Sequence, residues 1–220
     1  MTAPKELLDR LRKIPPATIG HILDFGFMDI GLRPVGRRGF TICGPAVTVK
    51  VMAIDSTVVH KAISMAEPGD IMVIDRNGDA KHACWGEMTS LAAKMRGLEA
   101  TIVDGPATDI VEIEDMEYLV FSRGISPITT RSLAMSGEIN TVVQCGGVSV
   151  APGDIIHADD NGVLVLKPEH VADIVEHCEP IAQREPTTRQ RLRAGESLAE
   201  MAGANTKIAA ALAAQAQGQH

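Results

Sequence analysis

Apolar residues along this chain fall into short unbroken runs, and the segments between several of them carry helical spacing. Leu7, Leu8 and Leu11 mark a short amphipathic helix, stopped by Pro15 and Pro16 because proline lacks an amide donor. Thr18 predicts the cap of a second helix reaching about Asp24, and Gly26 and Gly31 mark a loop. Residues 41–54 are β-branched and largely apolar and predict a strand. Asp55 and Ser56 then cap a helix whose inner face is Val58, Val59, Ala62 and Ile63. After a turn at 67–70, residues 71–75 form a buried strand ending on Asp75. Gly86 opens a helix with apolar positions Met88, Leu91, Ala92 and Met95, closed by Gly97. Residues 101–104 and 118–121 repeat the short buried-strand pattern, the first again ending on an acid, Asp104.

Beyond residue 140 the pattern changes. Residues 141–150 and 154–157 read as strands around Pro152 and Gly153, and Asp160-Asn161-Gly162 is a hairpin signal leading into a strand over 163–166. From Pro168 the chain is helical: Val171, Ile174 and Val175 give one amphipathic stretch, residues 182–201 are charged, and 203–220 are rich in Ala and Gln. An arm with so few apolar anchors is expected to dock on a neighbouring subunit. Strands alternating with helices, then hairpins, predict an α/β domain with a mixed sheet. The organisation is an N-terminal helix (1–17), a main domain (18–167) and a C-terminal helical arm (168–220).

Composition narrows the function. Aromatic residues are only 3% of 220, which leaves little for stacking bases or sugars. The net charge of −7 argues against binding a nucleic-acid backbone, so no nucleic-acid partner is expected. Cys43, Cys84, Cys145 and Cys178 lack paired spacing and read as buried, reduced thiols rather than a zinc site. The opening residues Met1-Thr2-Ala3-Pro4-Lys5-Glu6 do not read as a basic-then-apolar signal segment, and no run approaches the roughly 18 apolar residues of a membrane helix. The expectation is a cytoplasmic protein with no membrane partner.

The segment that can carry chemistry runs from Trp85-Gly86-Glu87-Met88-Thr89 to Asp104-Gly105-Pro106-Ala107-Thr108-Asp109. Both ends place acids where a buried strand hands over to a helix. Free amides at helix N-termini attract anions, and ligands gather at strand carboxyl ends. A strand–helix–strand unit returns to one edge of the sheet, so Glu87 and Asp109 can face one crevice. The alternatives are structural: Glu87 as a first-turn acid complementing the helix dipole, Asp109 as a helix cap. Asp75, Asp79 and Asp104 read as strand-end and turn residues, and His21, His60, His157, His170 and His177 as surface or core histidines.

With these motifs in order, the chain resembles the RraA-like family, from about Thr18 to Leu166. The resemblance rests on Gly44-Pro45-Ala46-Val47-Thr48-Val49, Pro68-Gly69-Asp70-Ile71-Met72-Val73-Ile74-Asp75, Gly86-Glu87-Met88, Asp104-Gly105 with Asp109, and Val148-Ser149-Val150-Ala151-Pro152-Gly153-Asp154. That family includes class II pyruvate aldolases of the 4-hydroxy-4-methyl-2-oxoglutarate type and regulators of ribonuclease E. The resemblance implies a swivelling β/β/α fold, homotrimers or homohexamers, and active sites between subunits. It implies that Asp109 holds Mg²⁺ or Mn²⁺. It further implies that the Gly86, Glu87, Met88 and Thr89 turn receives the carboxylate of a small 2-oxo acid, and that Glu87 manages the proton in retro-aldol cleavage or oxaloacetate decarboxylation.

One position departs from the pattern. The family's arginine before the final Asp falls on Thr108, a neutral side chain that cannot replace a bidentate cation. Losing such a donor typically costs about 3–4 kcal/mol of transition-state stabilisation. Arg76, Lys81, His82 and Arg123 are the cations considered as substitutes. On the arm, Glu185 is the nearest match to an acid that completes a neighbour's site, with Glu196 next. The competing expectation is a non-catalytic regulator or binding protein, or a family enzyme with another substrate. A methyltransferase is rejected, since no glycine-rich nucleotide loop follows a first strand.

Overall fold

Helical turns alternate with short strands along most of the chain in the computed structural model, which describes residues 3–36 and 38–217. Helices α1 (Lys5–Leu11) and α2 (Pro16–Ile19) precede β1 (Arg33–Val35), β2 (Thr41–Lys50), α3 (Thr57–Met65) and β3 (Ile71–Asp75). Then come α4 (Glu87–Arg96), β4 (Ala100–Val103), β5 (Pro106–Ala107), α5 (Ile110–Asp115), β6 (Leu119–Ser122) and β7 (Gly124–Ile125). Strands β8 (Glu138–Ile139), β9 (Val143–Cys145), β10 (Val148–Val150), β11 (Ile155–Asp159) and β12 (Gly162–Leu166) follow. Helices α6 (Val171–Arg193), α7 (Leu198–Met201) and α8 (Ala204–Gln217) end the described chain.

The main sheet has the order β1-β6-β4-β3-β2-β11-β12, with β8 also on β2. β2, β3, β4 and β6 run parallel, while β1, β11 and β12 pair antiparallel to their neighbours. This is the expected mixed α/β sheet with a helical C-terminal segment. The sheet is buried on both faces, and the two-residue alternation of a strand assigns side chains between them. Ile71 and Val73 of β3, with Ala100 and Ile102 of β4, join one core with Phe121 and the β9–β10 ribbon. Met72, Ile74 and Val103 join the other, with Val59, Ala62 and Ile63 of α3 and with Trp85. Four of the six aromatics sit inside these cores, while Phe25 is exposed and Phe27 partly buried. Phe40 meets Phe121 edge-on at 5.7 Å, and Trp85 stacks on Tyr118 at 6.4 Å.

Polar groups fasten the ends. His157 is fully buried between the carbonyls of Ile42 and Ile14, at 3.0 and 2.7 Å, and so anchors the N-terminal segment to the sheet. Asp75 accepts the Gln144 amide and Asp104 accepts the Gly146 amide, which ties the β9–β10 ribbon to the carboxyl ends of β3 and β4. These acids do serve the chain's own turns. The four cysteines are free and buried, as expected. Burial pushes the Cys43 thiol up to about 12 and the Cys84 thiol to about 11.

Two expectations need correction, and one helix face proves to be open. Thr18 does not cap a helix reaching Asp24: Pro15 stands at the cap, Thr18 lies buried inside α2, and the helix ends at Gly20. Proline's preset φ makes Pro15-Pro16 a helix start as readily as a stop. The strand expected over 41–54 ends at Lys50, and the chain turns through Ala53 with a positive φ of 49°. The open face is the apolar stripe of α4, which does not face the core. Met88, Leu91 and Met95 are 64%, 43% and 80% exposed, while Ser90 and Ala93 are buried. Helical spacing defines a face but not its partner, and small residues let the backbone of α4 pack closely on the sheet.

The chain divides into two compact units, residues 1–179 and 180–220. Val171, Ile174, Val175 and Cys178 of α6 are buried, whereas the charged residues that follow Pro180 are mostly exposed. Glu185 pairs with Arg189 one turn along α6, and Glu196 pairs with Arg191. No helix among the described residues is long and apolar enough to cross a membrane.

Candidate active site

A cavity of about 250 Å³ opens at the N-terminus of α4. One wall is the turn from Trp85 to Thr89, the second is Thr108 and Asp109, and the third is the loop from Thr129 to Ser132. Ser56 and His60 of the α3 start complete it. Glu87 and Asp109 thus line one cavity, although 21 residues separate them in sequence.

Local bonds explain why the turn and Asp109 meet. The Thr108 amide donates to the Trp85 carbonyl at 2.9 Å, and the Glu87 amide donates to Asp109 Oδ2 at 3.0 Å. Asp109 stands at the cap position of α5 with φ of 54°, a left-handed conformation that aspartate tolerates better than most residues. That conformation turns its carboxylate away from α5, where it caps nothing, and onto the first turn of α4. The Thr108 hydroxyl adds a bond to Asp109 Oδ1 at 3.2 Å. Gly86 is required by the close approach: a Cβ there would lie 2.4 Å from Asp109 Oδ2 and 2.7 Å from Thr108 Cγ2.

The α4 turn is rigid from beneath. The Thr89 hydroxyl accepts the Gly86 amide at 2.9 Å and donates to the Gly86 carbonyl at 3.0 Å. The buried Trp85 indole N–H donates to Ser90 Oγ at 2.7 Å. The amides of Met88 and Thr89 have no acceptor within the helix, being in its first turn, and both residues line the cavity. They form an anion-attracting end on a helix of ten residues.

The third wall was not legible in the sequence. Thr129 forms a backbone β-bridge with Ala83 and Arg131 one with Asp55, so the loop is stitched along one side of the cavity. Asp55 is 2% exposed, and its carboxylate gathers the amides of Thr57, Leu133 and Ser136 at 3.0–3.1 Å and that of Met135 at 2.5 Å. The Thr57 hydroxyl and these amides hold the Asp55 carboxyl well below the usual carboxylate range, against the opposing effect of burial. Arg131 lines the cavity, and His60, read as a surface or core histidine, does so as well.

The cations considered as substitutes for an arginine at Thr108 do not line this cavity. Arg76 is fully buried and donates to Asp79 at 2.9 Å. Arg123 is paired with Asp104 and, at 2.8 Å, with Asp29. His82 faces Asp79 at 2.9 Å, and Lys81 is exposed. No compact group of three His, Cys, Asp or Glu side chains occurs among the described residues. The oxygen donors present are the carboxylates of Asp109 and Glu87 with nearby hydroxyls. They match a hard cation that keeps most of its waters, and not a zinc-type cage.

The chain matches the RraA-like family model, described as Aldolase/RraA, over residues 18–165. It is 35% identical over 187 residues to an uncharacterised protein of Methanocaldococcus jannaschii, covering 84% of this chain and 89% of that one. It is 34% identical to a protein of Halalkalibacterium halodurans named a putative 4-hydroxy-4-methyl-2-oxoglutarate aldolase, over 73% of this chain and 76% of the relative. The crystal structure of Streptomyces coelicolor RraAS2, an unusual member of the RNase ES inhibitor RraA family, superposes with a TM-score of 0.75. That match has 25% identity and covers 87% of this chain and 99% of that one. By sequence and by fold, the chain belongs to the RraA-like family.

Proposed function

We propose that this protein is a divalent-metal-dependent carbon–carbon lyase acting on a small 2-oxo acid. The reaction is retro-aldol cleavage of a 4-hydroxy-4-methyl-2-oxoglutarate-like substrate to pyruvate, oxaloacetate decarboxylation, or both. The observation that carries this reading is the bond from the Glu87 amide to Asp109. It brings two carboxylates and an open helix N-terminus into one cavity.

In this reading the Met88 and Thr89 amides bind the carboxylate beside the keto group, as helix N-termini do for anions. Glu87 takes the proton from the C4 hydroxyl as the C3–C4 bond breaks, and a proton returns to C3 of the departing three-carbon fragment to give pyruvate. Asp109, with waters, holds Mg²⁺ or Mn²⁺. The metal supplies Lewis-acid stabilisation of the negative charge that develops on the keto oxygen. The exposed Met88, Leu91 and Met95 of α4 support a homotrimer or homohexamer, in which that stripe meets another copy. Glu185 is the arm acid assigned to a neighbouring site. Four reduced, buried cysteines support a cytoplasmic location.

The test is pyruvate release by the purified full chain with Mg²⁺ or Mn²⁺ and these substrates. Activity is expected with metal, and Asp109→Ala abolishes it. Pyruvate no higher than the metal-free blank overturns the reading. It favours the second one, a non-catalytic family member, to which the neutral Thr108 points.

A further inference from the structure

The loop that forms the third wall of the cavity is tied down closely for a segment that carries no core. Its backbone is fixed on both sides of Arg131. The Arg131 amide donates to the Ile54 carbonyl at 2.7 Å, and the Ser56 amide donates to the Arg131 carbonyl at 2.8 Å. One residue earlier, the Thr130 amide donates to the Ala83 carbonyl at 2.9 Å. Just beyond, the buried Asp55 carboxylate collects the amides of Leu133, Met135 and Ser136. These bonds fix where the Arg131 side chain starts.

What they deliver to the wall of the cavity is Arg131, the one guanidinium-bearing or lysine residue among those that line it. Among the described residues this guanidinium has no hydrogen bond and no ion pair. Arg12, Arg76 and Arg123, by contrast, are each paired to a carboxylate of the chain itself. The cavity therefore holds two separate anion-attracting positions on different walls: the first-turn amides of α4, and Arg131. A ligand that satisfies both carries two acidic groups.

Building on the lyase reading, we propose that Arg131 binds the second carboxylate of the substrate, the one remote from the keto group. It thereby selects 2-oxo diacids over 2-oxo monoacids. The two α4 amides hold the carboxylate beside the keto group, and the planar fork of Arg131 holds the distal one, for which its paired donors are suited. Thr108, short and neutral, serves neither carboxylate in this arrangement.

Calorimetric titration of the full chain with metal present, using 2-oxoglutarate as an unreactive diacid and pyruvate as a monoacid, tests the assignment. Wild type is expected to bind the diacid more tightly. Arg131→Gln weakens 2-oxoglutarate by about 10- to 100-fold, the worth of a charge-assisted hydrogen-bonded pair, and leaves pyruvate within about twofold. Arg131→Lys restores part of the difference. In turnover, Arg131→Gln raises KM for the diacid more than it lowers kcat. Equal weakening of both ligands, or no change in either, overturns the proposal. The lyase reading fails separately: wild type that shows the diacid preference yet releases no pyruvate refutes the reaction while keeping the role of Arg131.

Discussion

Replacing Gly86 by alanine probes the joint on which the site depends. Gly86 has φ and ψ of −157° and −157°, extended backbone that alanine also adopts, so the substitution introduces no left-handed strain. Its effect is steric. The new methyl lies 2.4 Å from Asp109 Oδ2 and 2.7 Å from Thr108 Cγ2, whereas ordinary contact needs about 3.5 Å or more. Asp109 has to retreat by about 1 Å, which lengthens the 3.0 Å bond from the Glu87 amide beyond hydrogen-bonding range. Overpacking of this kind costs about 1–3 kcal/mol. Alanine is also a poorer helix cap than glycine. For a chain of 220 residues each kcal/mol lowers Tm by about 2–4 °C.

Urea unfolding followed by the fluorescence of the single tryptophan, Trp85, reads the change beside the site. In a double-mutant cycle, the penalty of Gly86→Ala falls by about 1 kcal/mol when Asp109 is already alanine, because half of the clash is gone. An unchanged unfolding midpoint would refute the argument that Asp109 is seated against this glycine. So would an equal penalty in the Asp109→Ala background.

Two further perturbations test the supports. Ser90→Ala leaves the buried Trp85 indole N–H without its acceptor and is expected to cost about 1–3 kcal/mol in urea unfolding; a loss below about 0.5 kcal/mol would mean the bond is replaced. Burial pushes the Asp79 carboxyl up, but the His82 and Lys81 amides, the His82 ring and Arg76 outweigh it and hold the group at about 2 against an ordinary 3.8. A depressed carboxyl contributes stability that is complete above its unfolded value and lost as pH falls through the folded one. Unfolding midpoints of wild type and Asp79→Asn should therefore differ most near pH 7 and converge between about pH 4 and pH 2. A gap that stays constant over that window contradicts the assignment.

The sequence alone was sufficient for the alternation of elements that makes this an α/β mixed-sheet chain. The core strands β3, β4 and β6 are continuous apolar runs, as burial on both faces requires, and Gly86, Gly97 and Asp160-Asn161-Gly162 punctuate the chain through local backbone chemistry. Strands of two or three residues, such as β5, β7 and β8, were not legible, because so few positions carry no periodicity. Acids at the ends of buried strands also singled out Glu87 and Asp109, since a strand–helix–strand unit returns both to one edge.

Only the tertiary structure decided what stands opposite them. A loop's direction depends on bonds to distant residues, here from the Thr130 amide to the Ala83 carbonyl and from the Arg131 amide to the Ile54 carbonyl. No local pattern distinguishes Arg131 from Arg76 or Arg123, and the difference lies in whether the fold supplies each guanidinium with a carboxylate. The same holds for α4. Its spacing announced an apolar face, but whether that face meets the core or stays open depends on which side the sheet accepts, and the small residues Ser90 and Ala93 took that side. Propensity and periodicity are properties of neighbours in sequence, whereas the contents of a cavity are set by neighbours in space.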